Sequence, residues 1–219
     1  MKISILMLTY NAPLYVWKTI STLRKTKKVD YELIVVDNNS KPVTKKLVQK
    51  LYKKGLIDKL FMNSENSLFA KGNNIASTFA SANSTHFLLL NSDIKIKSSD
   101  WLTKLISLHP SEGGISAFGA VKSEPVRADG YCLLIDRNLY DKYKLDEEFA
   151  WWWSVTKLES QVLKEGKKIV AVDNHEKLIH HYGGKSGKGF KDAKGMNIDI
   201  QSVKSWFDGE NVEIINNIE

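Results

Sequence analysis

Four short apolar runs, Ile3–Leu8, Tyr31–Val36, Ile57–Phe61 and Phe87–Leu90, alternate with three segments whose apolar residues recur at helical spacing. No other feature restricts the chain so tightly. A short apolar run bounded by polar turn residues fits a strand buried on both faces. The segments between read as helices. The first runs from Pro13 to about Arg24, with Val16, Ile20 and Leu23 on one side. The second is Thr44–Lys54, with Leu47, Val48 and Leu51 inward, and the third is Phe69–Ala82, carrying Phe69, Gly72, Ala76 and Phe79. Asn11 is placed to cap the first helix, and Pro13 sits in its first turn, where a missing N–H costs nothing. Strand and helix in strict alternation specify βαβ units and a parallel sheet, hence an α/β fold.

Polar clusters close three of these strands: Thr9–Asn11, Asp37–Ser40 and Asn91–Asp93. Right-handed crossovers place all three along one carboxyl edge. Ligands of open α/β sheets bind there. Asp93 therefore stands where a carboxylate can hold a metal ion against a phosphate, although Asn-Ser-Asp is also a good turn sequence.

The second half is less regular. Trp101–Leu108 reads as a helix, Gly113–Val121 as a loop and short strand, and Gly130–Ile135 as a strand. Asp146–Trp153 is acidic and then aromatic. Ser154–Lys164 reads as a helix with Val155, Leu158 and Val162 inward, stopped by Gly166. Ile169–Val172 is a further strand. Leu178–Tyr182 leads into the glycine-rich Gly183–Gly189, one more helix falls near Asn197–Phe207, and the end from Asp208 onward is expected to be loosely held.

Hydrophobic residues make up 42% of the 219, enough for a sizeable core. No apolar run approaches the ~20 residues of a membrane span. Cys132 is the only cysteine, so no intrachain disulfide can form, and the expected location is cytoplasmic, with peripheral membrane attachment open. The formal charge of +7 favours anionic partners: nucleotide phosphates, nucleic acid or an acidic surface. Lysines cluster at Lys25–Lys28 and through Lys41–Lys59, which also describes a solvated helix face.

These residues resemble a family. Thr9-Tyr10-Asn11, Glu32–Ser40 (Glu-Leu-Ile-Val-Val-Asp-Asn-Asn-Ser), Asn66–Asn74 (Asn-Ser-Leu-Phe-Ala-Lys-Gly-Asn-Asn) and Leu89–Asp93 (Leu-Leu-Asn-Ser-Asp) are similar, in order, to segments of family 2 glycosyltransferases. Gly130–Arg137, Asp146–Gly166 and His181–Ser186 continue the likeness, which is strongest to the rhamnosyltransferase-like branch. It implies a single-domain GT-A (Rossmann-like) fold with a mostly parallel sheet flanked by helices. Residues 1–186 would form that domain, 1–95 its nucleotide-sugar-binding half and 96–186 its acceptor half, with 187–219 as a C-terminal extension.

The resemblance also implies a chemistry: transfer of a sugar, with inversion, from a UDP- or dTDP-linked donor to an acceptor hydroxyl of a surface glycan or lipid-linked saccharide. Mn²⁺ or Mg²⁺ would neutralise the departing diphosphate. Asp93 would be its ligand, and His181 a second ligand or diphosphate contact, with His180 a weaker candidate. Asn91 stands where a two-carboxylate motif carries its first acid. Asp37 would accept a hydrogen bond from the base, and Thr9, Tyr10 and Asn11 would run along base and ribose. Asn39, Asn66, Asn91 and Ser92 complete the donor set, and Lys71 and Asn74 would meet phosphate or a sugar hydroxyl at a helix start.

Two departures bear on this chemistry. Leu68 replaces the glycine that usually precedes Phe-Ala, and Val155 falls where the family carries its catalytic aspartate. The base would then be Glu159, one helical turn on, or Asp129, or a member of Asp146–Glu148. Trp151–Trp153 would give an apolar platform for a sugar ring or base. Two other readings stand beside the enzyme: a nucleotide-sugar or glycan-binding module that has lost catalysis, and a glycosyltransferase acting on a modified nucleic-acid base.

Overall fold

The computed structural model describes residues 1–185, 193–208, 210 and 212–218. The chain opens with β1 (Lys2–Thr9), α1 (Pro13–Leu23), β2 (Asp30–Asp37), α2 (Pro42–Lys53), β3 (Lys59–Met62), α3 (Leu68–Thr78) and β4 (His86–Leu90). This is the expected alternation, with ends shifted by a few residues. There follow β5 (Ile94–Ile96), α4 (Trp101–Ser107), β6 (Gly114–Phe118), β7 (Ala120–Val121), β8 (Arg127–Ala128), β9 (Cys132–Asp136) and α5 (Arg137–Tyr143). The chain closes with α6 (Trp152–Lys164), β10 (Lys168–Asn174), β11 (Ile179–His181), α7 (Ile200–Phe207) and β12 (Glu213–Asn217).

Among the described residues, eight strands form one sheet in the order β12-β10-β6-β9-β4-β1-β2-β3. Only β9 runs against its neighbours, β4 and β6. That single reversal matters for the site, because it brings the residues just before β9 to the same edge as the residues just after β4. The end of the chain is not loose as expected: Glu213–Asn217 pairs in parallel with β10 and closes one side of the sheet.

Alternate residues feed two separate cores. Ile3, Ile5 and Met7, with Leu33, Val35, Leu88 and Leu90, face α1, α2 and α4. Leu6, with Ile34, Val36, Phe87 and Leu89, faces α3, α5, α6 and α7. Burying each such side chain fully is worth roughly 1.5–3 kcal/mol, which explains why the central strands read as continuous apolar runs. Gly72 lets α3 lie close on β1, since a Cβ there would meet Leu8 Cδ1 at 2.8 Å. Cys132 is buried in the sheet. Among the described residues, no helix is long and apolar enough to cross a membrane.

Candidate active site

The loops after β1 and β2 are tied together at the carboxyl edge. Thr9 Oγ1 donates to Asp37 Oδ1 at 3.0 Å, and Ser40 N donates to Asp37 Oδ2 at 3.0 Å. Asn11 N donates to Ser40 Oγ (2.8 Å) and Asn11 Oδ1 accepts from Lys41 N (2.9 Å). Asn11 is thus a cross-loop tie and not the expected helix cap. The capping position of α1 is Ala12, in the left-handed region at φ 52° with no side-chain hydrogen bond.

The loop after β4 is pinned from below by α1. Thr19 Oγ1 donates to Ser92 O (2.8 Å) and accepts from Ile94 N (3.0 Å). Strands β5 and β11, which no local pattern announced, pair antiparallel with His181 opposite Ile94. Tyr182 N donates to Asp93 O at 3.0 Å. The result places His181 Nε2 3.2 Å from Asp93 Oδ1. That nitrogen is buried and makes no hydrogen bond, and the ring stacks on Tyr131 with centroids 4.1 Å apart.

An orphaned imidazole nitrogen beside a nearly buried carboxylate is what a metal ligand pair looks like. Nitrogen and carboxylate oxygen together suit Mn²⁺, so the residues fit a divalent ion. Asp93 and His181 are the residues that would hold it.

A cavity of about 330 Å³ opens over this pair, within the range of small-ligand sites. Tyr10, Asn38, Asn66, Leu68, Phe69, Asn91, Ser92 and Asp93 are among the residues that line it. Asp129, Gly130, Tyr131, Trp151, Trp152 and His181 line it as well. Asp129 reaches this wall because β9 runs backwards; its N–H donates to Gly119 O (2.9 Å), and Asn91 N donates to Tyr131 O (2.9 Å). Burial raises the Asp129 carboxyl above the ordinary carboxylate range, opposed in part by the charges of His181 and Arg127. A raised carboxylate facing a cavity is suited to taking a proton.

Of the residues singled out from sequence, Tyr10, Asn66, Asn91, Ser92, Asp93, Asp129 and His181 line this cavity. Thr9 and Asp37 lie behind it, fully buried and bonded to each other. Asn39 accepts from Lys45 Nζ at the surface. Lys71 is paired with Glu65 at 2.7 Å. Asn74 holds the loop after α5, accepting from Tyr140 OH (3.0 Å) and Leu145 N (3.0 Å) and donating to Leu145 O (2.8 Å). His180 pairs opposite Lys95, its ring edge-on to Tyr182.

Glu159 is no solvated glutamate. It is completely buried, its Oε2 accepts from Ala128 N at 2.9 Å, and its Oε1 has no partner. Burial pushes its pKa up to about 8. It stands behind the cavity wall, supporting the strand that leads to Asp129. Val155 is also buried, and a Cβ on Gly130 would lie 2.9 Å from its Cγ2. Where the family carries an acid, this chain therefore has apolar packing beneath the Asp129–Gly130 turn.

Ser186 and the glycine-rich segment after it lie outside the described residues. Sequence reasoning missed Tyr131, whose hydroxyl donates to His175 Nε2 (2.6 Å) while His175 Nδ1 donates to Val172 O (3.1 Å). The only available signal was an aromatic directly after Asp-Gly at a strand start.

The glycosyl transferase family 2 model matches residues 4–175, well over half of the chain. The chain belongs to glycosyl transferase family 2. No curated protein matches it significantly. Among solved structures it is similar to the mannosyltransferase PcManGT from Pyrobaculum calidifontis in complex with GDP-Man and Mn²⁺, at 15% identity and TM-score 0.64, over 78% of this chain and 55% of that one. It is similar to S. aureus TarS 1-349 at 15% identity and TM-score 0.65, over 94% and 70%. TarS 1-349 in complex with UDP-GlcNAc matches at 18% identity and TM-score 0.53, over 67% and 49%. These likenesses establish the GT-A fold. The chain spans about half the length of several of these solved relatives.

Proposed function

We propose that this family 2 chain transfers a sugar from a nucleotide-sugar donor to an acceptor hydroxyl, with inversion. The observation that carries the reading is that one cavity is lined both by the Asp93–His181 pair and by the Asp129 carboxylate. The donor nucleotide would lie along Tyr10, Asn38 and Asn66, with its diphosphate toward Asp93. A divalent ion held by Asp93 and His181, Mn²⁺ or Mg²⁺, would supply charge neutralisation for the leaving nucleoside diphosphate. The neighbours' GDP-Man and UDP-GlcNAc support a nucleotide-sugar donor; a UDP- or dTDP-linked donor rests on the family resemblance alone.

The acceptor oxygen attacks the anomeric carbon as the bond from that carbon to the diphosphate oxygen breaks. Asp129 takes the hydroxyl proton, and the pair of electrons leaves with the diphosphate. Trp151 and Trp152 give the acceptor an apolar floor. Among the three base candidates, Asp129 is favoured because it lines the cavity, whereas Glu159 is sealed behind it and Asp146–Glu148 lie outside its lining. The acceptor class, a surface glycan or lipid-linked saccharide, rests on the rhamnosyltransferase-like motif order.

A second reading has its own observation. Apolar Val155 in place of the family's acid favours a binding module without catalysis. Incubation with UDP-, dTDP- and GDP-sugars plus Mn²⁺ separates the two. Donor turnover that vanishes in Asp93→Ala supports the enzyme; nucleotide-sugar binding with no turnover on any donor supports the module.

A further inference from the structure

The opposite end of the sheet carries a second cluster, which the proposed reaction does not use. His86 begins β4, and Asp136 ends β9 directly across from it. His109 reaches in from the turn between α4 and β6. His109 Nε2 lies 3.0 Å from Asp136 Oδ2, and His86 Nε2 lies 3.3 Å from Asp136 Oδ1. Asp93 and Asp129 stand at the other ends of these two strands, so the cluster is remote from the cavity.

Both rings are held at Nδ1 and turn Nε2 toward the carboxylate. His109 Nδ1 lies 3.2 Å from Ser116 Oγ, and His86 Nδ1 lies 2.8 Å from Thr85 Oγ1, which also meets Lys2 O at 3.2 Å. Without a metal, a proton on Nε2 lets a ring donate to Asp136. With the proton on Nδ1, where a hydroxyl oxygen stands to accept it, each Nε2 lone pair is free for one cation beside the carboxylate.

We propose that His86 Nε2, His109 Nε2 and Asp136 form a binding site for a divalent transition-metal ion, Zn²⁺ in particular, separate from the sugar-nucleotide cavity. The three ligand atoms all lie within 4.8 Å of one another. Ligands bound tetrahedrally at about 2.0–2.2 Å stand roughly 3.3–3.6 Å apart, and the two histidine–carboxylate contacts here are 3.3 and 3.0 Å. Two imidazoles and a carboxylate suit zinc better than magnesium. The outer contacts of a zinc site are also present: both Nδ1 atoms are anchored, and Gly114 N donates to Asp136 Oδ2 at 2.7 Å. The Asp136 side chain is 26% exposed, which leaves a side open for a water as fourth ligand. Bound metal would clamp the β4–β9 pair and the turn before β6 at the end away from the chemistry.

The test uses the full chain, stripped with chelator, in an Asp93→Ala background that disables the donor-side pair. Zn²⁺ alone is titrated by calorimetry and thermal unfolding, and Co²⁺ by its visible d–d absorption. One equivalent is expected to bind, to raise Tm by about 5 °C or more at 100-fold excess over Kd, and to give the band of four-coordinate Co²⁺. Adding His86→Gln should weaken binding by about 100-fold or more. Thr85→Val keeps every ligand and removes the anchor of His86 Nδ1 along with the hydroxyl's contacts to the Lys2 backbone; it should weaken binding about 10-fold. This second variant keeps the test decisive if the first unfolds. Absence of a Zn²⁺-dependent Tm shift and Co²⁺ band in the Asp93→Ala protein would overturn the proposal. So would unchanged affinity in both ligand-side variants.

Discussion

His181 Nε2 sits 3.2 Å from Asp93 Oδ1, off the line a hydrogen bond needs, and has no other partner. The two residues are far apart in sequence and meet because β5 and β11 pair, with His181 across from Ile94. A buried donor or acceptor without a partner costs about 1–3 kcal/mol, a cost that a shared cation would remove.

Removal of that cation should therefore abolish activity. With EDTA present, donor turnover is expected to fall to background and to return with Mn²⁺. Asp93→Ala should not be rescued by added metal, while His181→Ala should lose about 10–100-fold in metal affinity. Turnover assayed across a metal titration checks both; full activity of the metal-free protein would sink the assignment.

Asp129→Asn should lower kcat by about 10²–10⁴ and leave donor binding close to wild type. Because burial raises the Asp129 carboxyl, wild-type activity should climb with pH through a value above the ordinary carboxylate range. The variant should lack that limb. A pH–rate profile of both proteins decides the matter.

Glu159 makes a stability prediction with a defined sign. Its folded pKa of about 8 lies above the unfolded value near 4.5. The unfolded chain therefore releases this proton first. The stability tied to the neutral acid is intact below about pH 4.5 and is lost as pH rises through about 8. Glu159→Gln, neutral at every pH, should flatten this fall and be the more stable protein at pH 9, by an amount on the order of a few kcal/mol. Denaturant unfolding at pH 5, 7 and 9 measures it; equal pH dependence in the two proteins would count against a buried acid.

Leu68 holds φ 57°, a left-handed conformation that costs a non-glycine residue roughly 1–2 kcal/mol. Leu68→Gly relieves that strain and loses side-chain burial and some chain entropy. The terms nearly offset, so stability should stay within about 1 kcal/mol of wild type, although a whole side chain is gone from the cavity wall. Leu68→Val keeps an apolar group but adds a β-branch at positive φ, and should be the less stable of the two by thermal melting.

The alternation of apolar runs and helical spacing determined the first half of the fold, because a buried central strand must be apolar on both faces and its crossover helix on one. The same logic located the carboxyl edge, and with it Asn91–Asp93. What lay beyond local pattern was decided by pairing at a distance. Strands β5 and β11 are three residues each, too short to show a period, yet they bring His181 to Asp93. The antiparallel β9 delivers Asp129 to the cavity, and no local signal distinguishes it from a parallel strand. The C-terminal strand β12 looked polar enough to be loose and is held by its hydrogen bonds to β10. Asp37, Asn74 and Glu159 show the converse limit. Residue type marks a group as able to bind or to take a proton; only packing decides whether it faces a cavity or is spent on the protein's own backbone.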